Sequence, residues 1–376
     1  MDYQTSMIIN HINILFLSTS SNMFRTALFV IGMCYQAQAC SRVTYEASND
    51  RIVVGRSMDF VAETNTTFLA YPAGLKRTGS SVETNGYNWT SKYGSVTALM
   101  YNRAHIDGVN EKGLTGSCLY LDDSVYEKRN NKIPSMWVGH WLQYFLDQYA
   151  TVEEVAKAVC PGRGKSPFQV VPTSLVPGVK SAGHLSYSDP SGDNLIMEYV
   201  KGALTCYHSS NYTVMTNEPT FDQQLAINSY WAPIADSALP GTSRPADRFA
   251  RLSYYLSEIP QTKSLTAAIS YAAGMIRAVS VPIPRVINAK PGAGAADIWP
   301  TFWRIFTDLK DSTVFYESAS GPALFWFSLK DSDLSTKGTT MILDVQAAPW
   351  EDRVGDVSKR FKKATKKQCA MADTQC

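Results

Sequence analysis

Short stretches rich in β-branched and apolar residues recur along the chain from residue 40 onward, and each predicts a strand. The turn-forming run Ser48-Asn49-Asp50 separates the first two stretches and predicts a β-hairpin directly after residue 40. Together the stretches predict a mostly antiparallel sheet. The predicted strands are residues 42–46, 51–56, 95–101, 113–121, 184–188, 195–200, 212–216, 314–318, 323–328 and 339–344.

Helical patterns occur between these blocks of strands. Thr151 followed by Glu154 matches a capping box, and Ser264 stands as an N-cap before the last helical stretch. Blocks of strands that alternate with pairs of helices fit a layered α+β architecture better than a βαβ wound sheet. The predicted helices are residues 136–148, a segment opened by Thr151, residues 247–256 and residues 265–279.

The residues before position 40 have the features of a secretory signal peptide. Residues 23–39 contain Arg25 as a charged start, then an apolar run, then the small residues Ala37 and Ala39 before a cleavage site. The apolar run is far shorter than the roughly 20 residues that span a bilayer, which argues against a transmembrane anchor. Residues 1–22 are interpreted as sequence upstream of a misassigned start codon. The mature protein is expected to be periplasmic or secreted, without stable membrane insertion.

Cleavage after Ala39 would make Cys40 the first residue of the mature chain. A bacterial lipoprotein also begins with cysteine, but its signal normally has leucine three residues earlier, where this chain has Ala37. A free N-terminal cysteine and a lipidated one are therefore the two alternatives for Cys40.

The composition limits the class of partner. Of the 376 residues, 45% are hydrophobic and 18% charged, which predicts one large domain. We place it at residues 40–350 and interpret the basic segment 351–376 as a solvated tail. The 35 Lys plus Arg against 33 Asp plus Glu give a net charge of +2, without the basic excess that nucleic-acid binding needs. We expect a small-molecule ligand and no nucleic-acid partner.

Several familiar enzyme motifs are missing from the sequence. It contains no G-x-S-x-G, H-E-x-x-H or G-x-G-x-x-G motif, and its seven cysteines form no C-x-x-C pair, so no metal or cofactor is expected. Gly164-Lys165-Ser166 resembles the end of a phosphate loop, but Val159 stands where the loop needs glycine. The histidines are dispersed along the chain. An amidase with this sequence would therefore need a base other than histidine.

A mature N-terminal cysteine carries a nucleophile and a base in one residue. A free α-amino group titrates at about 7.7–8.0, so it can take the proton of its own thiol. The predicted hairpin would return Arg56 and Asp59 to Cys40. Asp59 could then orient the α-ammonium, and Arg56 could lower the thiol pKa and hold the thiolate. The alternative is an ordinary surface ion pair at a strand end.

The run CSRVTYEASNDRIVVGRSMDF, which starts at Cys40, resembles the opening of the choloylglycine hydrolase family of conjugated-bile-acid hydrolases and penicillin V acylases. Residues 110–114 are similar to the family's NEKGL turn, residues 215–221 to its TN-x-P-TF motif, and residues 247–249 to its R-F segment at the start of a helix. The resemblance implies the four-layer αββα sandwich of N-terminal-nucleophile hydrolases. It also implies hydrolysis of a linear carboxamide through a thioester at Cys40, without a cofactor.

The resemblance implies roles for three further residues. Asn217 would supply a side-chain N–H, and Tyr120 a backbone N–H, to the oxyanion of acyl transfer. Arg248 would place positive charge near the reacting carbonyl. The alternatives from the residues alone are an Asx turn of Asn217 ahead of Pro219 and, for Arg248, a pair with Asp247 or a solvated surface charge.

Two departures from the bile-salt pattern bear on the substrate. Tyr120 stands where bile-salt hydrolases typically have asparagine and many penicillin V acylases have tyrosine. The stretch between Asn217 and Arg248 is shorter than in Gram-positive bile-salt hydrolases. We expect a Gram-negative periplasmic acylase acting on penicillin V or acyl-homoserine lactones, with bile-salt hydrolysis as the alternative and a homotetramer or homodimer as the assembly. The alternative of another class is a non-enzymatic lipoprotein or binding module lipidated at Cys40.

Overall fold

Two large sheets, built mainly from the stretches that the pattern predicted, form the centre of the protein. The computed structural model describes residues 40–80, 85–175, 179–283, 299–321, 324–345 and 353–374. The predicted signal peptide and the segment before it lie outside these residues.

The first sheet has seven strands, and all neighbouring pairs are antiparallel except the last. The predicted hairpin after residue 40 forms two adjacent strands of this sheet. In spatial order the strands are Val214–Met215 (β14), Ser41–Ser48 (β1), Arg51–Asp59 (β2), Thr301–Asp308 (β15), Thr313–Ser318 (β16), Leu324–Ser328 (β17) and Gly355–Asp356 (β19).

The second sheet has nine antiparallel strands. In spatial order they are Ala203–His208 (β13), Asn194–Val200 (β12), His184–Ser188 (β11), Thr115–Leu119 (β8), Ala104–Asn110 (β7), Ser95–Met100 (β6), Thr67–Tyr71 (β3), Met341–Asp344 (β18) and Lys362–Lys363 (β20). Two small two-stranded sheets complete the set: Lys76–Thr78 (β4) with Asn88–Thr90 (β5), and Ser135–Trp137 (β9) with Gln169–Val171 (β10).

Helices cover the outer faces of the two sheets. The helix Val138–Gln148 (α1) packs on β7 and β8, and Leu265–Val279 (α5) packs on β1, β2 and β15. This gives the predicted α+β sandwich, with helix, sheet, sheet and helix layers around one main hydrophobic core. The other helices are Val152–Val159 (α2), Phe221–Trp231 (α3), Pro245–Glu258 (α4) and Lys366–Met371 (α6). Among the described helices, none is both long enough and apolar enough to cross a membrane.

The predicted helix caps are present. The Thr151 side chain accepts a hydrogen bond from the backbone N–H of Glu154, and Ser264 accepts one from Ala267. The Glu154 carboxylate accepts a hydrogen bond from the backbone N–H of Ala150. In a capping box it would accept from the N-cap residue itself, Thr151, which is one position later. These caps satisfy N–H groups that a helix start leaves without partners.

Several elements were not predicted because their sequences lack a periodic apolar pattern. Strand β7 reads AHIDGVN and is buried along its whole length, so polar residues such as His105 and Asp107 face protein rather than water. A strand covered on both faces shows no alternation. In α3, only Phe221 and Gln224 are buried, which leaves no apolar stripe for a sequence pattern to reveal.

The basic C-terminal segment is part of the fold, which corrects the interpretation of residues 351–376 as a solvated tail. Lys362 and Lys363 pair with Ile342 and Met341 of β18, and Cys369 in α6 is buried. The lysine side chains are exposed while their backbone completes the nine-stranded sheet. The lysine-rich sequence therefore predicted that these side chains are exposed, but it did not predict that their backbone pairs with a strand.

The cysteines of the described residues fall into two groups. Cys160, at the end of α2, forms a disulfide with Cys206 on β13, and Cys369 is also disulfide-bonded. Cys40 and Cys118 are free thiols. Cys118 lies in strand β8.

Candidate active site

The β1–β2 hairpin brings Arg56 and Asp59 to Cys40. Ser41 pairs with Ser57 across the ladder, so Cys40, one residue before β1, lies beside the last residues of β2. The Cys40 side chain is buried, and its Sγ donates to the backbone oxygen of Asp59 at 3.5 Å. The turn that the sequence predicted therefore places the thiol against the end of the returning strand.

Arg56 connects Cys40 to the opposite sheet. Its Nη2 lies 4.0 Å from the Sγ of Cys40 and 3.1 Å from the Sδ of Met58. The same guanidinium donates to the backbone oxygens of Ile106 on β7 and Cys118 on β8, at 3.2 and 3.1 Å. Burial raises the pKa of the Cys40 thiol, and the charge of Arg56 opposes that rise. Arg56 acts in the predicted direction, but burial is the larger effect.

The Asp59 carboxyl group does not hydrogen-bond the Cys40 nitrogen, which is here a peptide nitrogen and not the α-ammonium for which the sequence predicted that contact. Its Oδ2 accepts from Ser57 Oγ at 3.5 Å, and its Oδ1 has no hydrogen-bond partner among the described residues. Burial raises the pKa of Asp59 to about 7, against the opposing charge of Arg248. Because residue 39 precedes Cys40, the Cys40 nitrogen is a peptide nitrogen with one hydrogen, and that hydrogen is donated to Asn217.

The side-chain amide of Asn217 is the centre of the site. Its Oδ1 accepts from the backbone nitrogen of Cys40 and from Nη2 of Arg248, both at 2.7 Å. Its Nδ2 donates to the backbone oxygen of Tyr120 at 2.7 Å, which uses one of its two N–H groups. An Asx turn is excluded because Oδ1 has these two donors and Pro219, two residues on, has no N–H to give.

Arg248 lies in the first turn of α4 and is fully buried. Its Nη1 donates to the backbone oxygen of Cys40 at 2.5 Å and to Oγ of Ser41 at 2.7 Å. The Asp247 carboxylate accepts hydrogen bonds from Thr242 instead. The alternatives of a solvated charge and of a pair with Asp247 are therefore wrong. Arg248 holds the backbone around Cys40.

An apolar pocket opens beside Tyr120. The ring of Tyr120 packs edge-on against Trp299, and Trp299 packs edge-on against Phe60, with ring centroids 5.2 Å apart in both pairs. The described lining encloses about 90 Å³ and includes Phe60, Ile106, Cys118, Tyr120, Trp137, Val138 and Leu175. Sequence reasoning missed most of these residues, because an apolar pocket residue looks like a core residue in the sequence.

The structure thus gathers the six residues that the sequence selected from five separate segments of the chain. Direct contacts link the backbone and thiol of Cys40, a nearby guanidinium and an amide that is fixed at both ends, and the Asp59 carboxyl group is buried on the adjoining strand. Such a cluster can supply a nucleophile, positive charge and N–H donors to an acyl group. The six residues are Cys40, Arg56, Asp59, Tyr120, Asn217 and Arg248.

A second polar cluster lies at the surface near the end of α2. Ligand atoms of Glu153, Asp193 and His208 lie within 4.8 Å of one another, as in a metal site. The guanidinium of Arg163 hydrogen-bonds both Glu153 and His208, at 2.6 and 2.9 Å. A side-chain cation therefore already occupies the centre of this cluster, and we interpret it as an ion-pair network.

Comparison with known families gives one match that spans most of the chain. Residues 40–343 match the model of the linear amide C–N hydrolases of the choloylglycine hydrolase family. A penicillin V acylase from Pectobacterium atrosepticum is 39% identical over 324 residues, which is 80% of this chain and 83% of the relative. A bile salt hydrolase/transferase from Clostridium perfringens is 27% identical over 248 residues, or 57% of this chain and 71% of the relative.

Solved structures agree with these matches. The penicillin V acylase of Agrobacterium tumefaciens superposes with a TM-score of 0.76 at 37% identity, covering 87% of this chain and 98% of that one. A conjugated bile acid hydrolase variant from Clostridium perfringens superposes with a TM-score of 0.66 at 18% identity, covering 81% of this chain and 97% of that one. At that identity the second likeness concerns the fold alone.

The raised pKa of Asp59 predicts a pH-dependent stability for the chain that retains residues 1–39. With a folded pKa of about 7 and an unfolded pKa of about 4, the folded state holds a proton that the unfolded state has released. The stability that comes from this retained proton is complete below the unfolded pKa and is lost as the pH rises through 7. Urea unfolding between pH 4.5 and 7.5 should show a smaller fall in stability for Asp59→Asn than for the parent. Identical pH dependences would contradict the prediction.

Proposed function

This chain belongs to the choloylglycine hydrolase family of linear amide C–N hydrolases, and we propose that it cleaves its substrate with Cys40 as an N-terminal nucleophile. The observation that carries this proposal is the buried cluster in which Asn217 and Arg248 hold the backbone of Cys40 beside Arg56. The amide carbon would be attacked by the Cys40 thiolate, and the acyl group would pass through a thioester.

We propose that residues 1–39 are removed before the enzyme acts. The family match begins at Cys40 itself. A peptide nitrogen is not basic, whereas a free α-amine titrates near neutral pH and can take the thiol proton. The unpartnered Oδ1 of Asp59 offers an acceptor for the additional hydrogens that a free amine would carry. The Cys160–Cys206 disulfide supports export to an oxidising compartment, either the periplasm or the exterior.

The proposed reaction runs in two steps. In the first, the α-amine takes the thiol proton, Sγ attacks the carbonyl carbon, and the oxyanion accepts the remaining N–H of Asn217 and the backbone N–H of Tyr120. The α-ammonium then gives its proton to the leaving nitrogen. In the second step, water attacks the thioester with the α-amine as base, and the acid leaves with Cys40 restored. Arg56 stabilises the thiolate, and Asp59 orients the ammonium.

Arg248 would act on the oxyanion through Asn217. Its guanidinium donates to Oδ1, the far end of the amide whose Nδ2 carries the proposed oxyanion donor. Drawing electron density toward Oδ1 makes the Nδ2 hydrogens more positive, as expected in a hydrogen-bonded chain. A buried cation one side chain away thus strengthens the donor.

The pocket favours an apolar acyl group. Its described lining consists mainly of apolar and aromatic side chains, among them Phe60, Tyr120 and Trp137. An aryl ring or an acyl chain fits walls of this kind. The resemblance to two penicillin V acylases favours a phenoxyacyl amide such as penicillin V, or an acyl-homoserine lactone, over a bile salt.

The lipoprotein alternative for Cys40 fits the geometry poorly. The residue is only 3% exposed, and its backbone is enclosed by Asn217 and Arg248. A lipid on the thiol would have to pass through this packed polar cluster. Assembly as a homotetramer or homodimer remains a prediction.

The first prediction from the proposed function concerns processing. A chain with Ala39 changed so that the leader stays attached should fold but show no detectable amide hydrolysis, because the peptide nitrogen of Cys40 cannot accept the thiol proton. Circular dichroism and intact mass spectrometry would confirm the folded, unprocessed state before the assay. Full turnover by a chain shown by mass to retain its leader would refute this prediction.

The second prediction concerns the substrate. In a panel of penicillin V, glycine- and taurine-conjugated bile salts, and acyl-homoserine lactones of several lengths, kcat/KM should be highest for penicillin V or a lactone, and about tenfold or more above that for any bile salt. Cys40→Ser, which loses the softness and acidity of the thiol, should lose turnover on every substrate while still binding it. A preference for bile salts would overturn the substrate assignment alone, and equal activity of Cys40→Ser would overturn the nucleophile.

The third prediction separates the two ends of the Asn217 amide. Asn217→Asp keeps an acceptor for Cys40 and Arg248 but removes the N–H donors, and it should lower kcat by on the order of 10²- to 10³-fold with KM little changed. Asn217→Ala should lose turnover similarly and lower the thermal midpoint as well, because buried donors lose their acceptor. Turnover per folded molecule within about threefold of the parent in both variants would remove Asn217 from the oxyanion site.

A further inference from the structure

A fully buried imidazole and carboxylate lie behind the segment that carries Asn217. Nδ1 of His184, on β11, lies 2.8 Å from Oε1 of Glu198, on β12. The two side chains are 1% and 0% exposed. In the register of the two strands they stand next to the Leu185–Met197 pair and face each other across the ladder. The mechanism described above does not use either residue.

This pair holds both ends of the segment 216–221. Nε2 of His184 donates to the backbone oxygen of Thr216 at 2.9 Å, and the second oxygen of Glu198 accepts from the backbone N–H of Phe221 at 3.0 Å. Thr216 directly precedes Asn217, and Phe221 is the first residue of α3. One side-chain pair therefore fixes the chain immediately before Asn217 and four residues after it.

The hydrogen bonds define where the protons of the pair lie. A backbone oxygen only accepts, so Nε2 of His184 carries a hydrogen. A second proton then lies between Nδ1 and Oε1 of Glu198, and the pair is neutral overall whichever atom holds it. A neutral pair whose four polar side-chain atoms are all hydrogen-bonded can stay buried, whereas removal of one partner leaves the other without compensation.

We propose that His184 and Glu198 are positioning residues that hold the Asn217 amide at its place in the oxyanion site. The inference rests on the proposed function, because it assigns the pair a role through Asn217. An oxyanion donor must be fixed to within a fraction of an ångström, and residues on flexible connections need support from rigid elements. Here the support comes from two interior strands of the nine-stranded sheet, the second and third from one edge.

Gln224 braces the same segment from its other side. Its Nε2 lies 3.2 Å from the backbone oxygen of Asn217 and 2.8 Å from that of Glu218. The backbone of the segment is thus held from β11, β12 and α3 together. The side chain of Asn217 is left to face Cys40, Tyr120 and Arg248.

Two substitutions at one position test the proposal. Glu198→Gln keeps an acceptor for the N–H of Phe221 and supplies an N–H to a neutral His184, so it should retain kcat within about threefold. Glu198→Ala removes both contacts and should lower kcat by about 10- to 100-fold with KM changed less than about threefold. Equal, near-parental kcat for both variants would overturn the proposal, as would a loss confined to KM.

A double-mutant cycle shows whether Glu198 acts through Asn217. In the Asn217→Ala background, Glu198→Ala should cause less than about a twofold further loss of kcat, because the group that it positions is already gone. A further loss as large as in the parent would overturn the proposal. If Asn217→Ala alone had normal turnover, the oxyanion assignment would fail; if it were impaired and Glu198→Ala were not, only the positioning role would fail.

Two measurements separate positioning from general disruption. Alkylation of Cys40 by iodoacetamide forms no oxyanion and therefore needs no oxyanion donor. Its rate, measured by mass spectrometry of the Cys40 peptide, should be within about twofold of the parent rate in Glu198→Ala. An alkylation rate reduced as strongly as kcat would overturn the proposal. Asp308→Asn weakens another buried ion pair, with Arg51 at the other end of β2, and should lower the thermal midpoint while kcat per folded molecule stays near the parent value.

Discussion

The site depends on one buried amide whose two ends are both satisfied. Asn217 accepts hydrogen bonds from the backbone of Cys40 and from Arg248, and donates to the backbone of Tyr120. These contacts join the start of β1, the first turn of α4 and the chain after β8. Because a buried polar group without a partner costs about 1–3 kcal/mol, each of these segments constrains the others.

Charge buried between the two sheets sets the electrostatic state of the site. In the chain that retains residues 1–39, burial raises the pKa of both the Cys40 thiol and the Asp59 carboxyl, although Arg56 and Arg248 oppose the rise at both groups. A further positive charge beside these groups would lower both pKa values. Under the proposed function, the α-ammonium released by processing would be that charge.

Support for the site comes from the sheets rather than from the connecting segments. Arg56 spans the interior from β2 to backbone oxygens of β7 and β8, and the His184–Glu198 pair reaches from β11 and β12 to the segment around Asn217. Interior strands of a sheet are hydrogen-bonded on both sides. Polar side chains on such strands hold the residues of the candidate site in place.

The sequence by itself determined the features that depend on neighbouring residues. The turn after Ser48 and the caps at Thr151 and Ser264 are local, and the short hairpin sufficed to bring Arg56 and Asp59 near Cys40. Family motifs supplied the more distant members of the site, but not their contacts.

Only the tertiary structure decided which atoms of those residues meet. It showed that the peptide nitrogen of Cys40 donates its hydrogen bond to Asn217, and that the basic C-terminal segment completes a sheet. It also revealed His184 and Glu198 as a buried pair that hydrogen-bonds the segment around Asn217. These contacts join segments that are far apart in the chain. Their geometry depends on how the two sheets pack and on which buried polar atoms need a hydrogen-bond partner. A local sequence pattern contains neither kind of information.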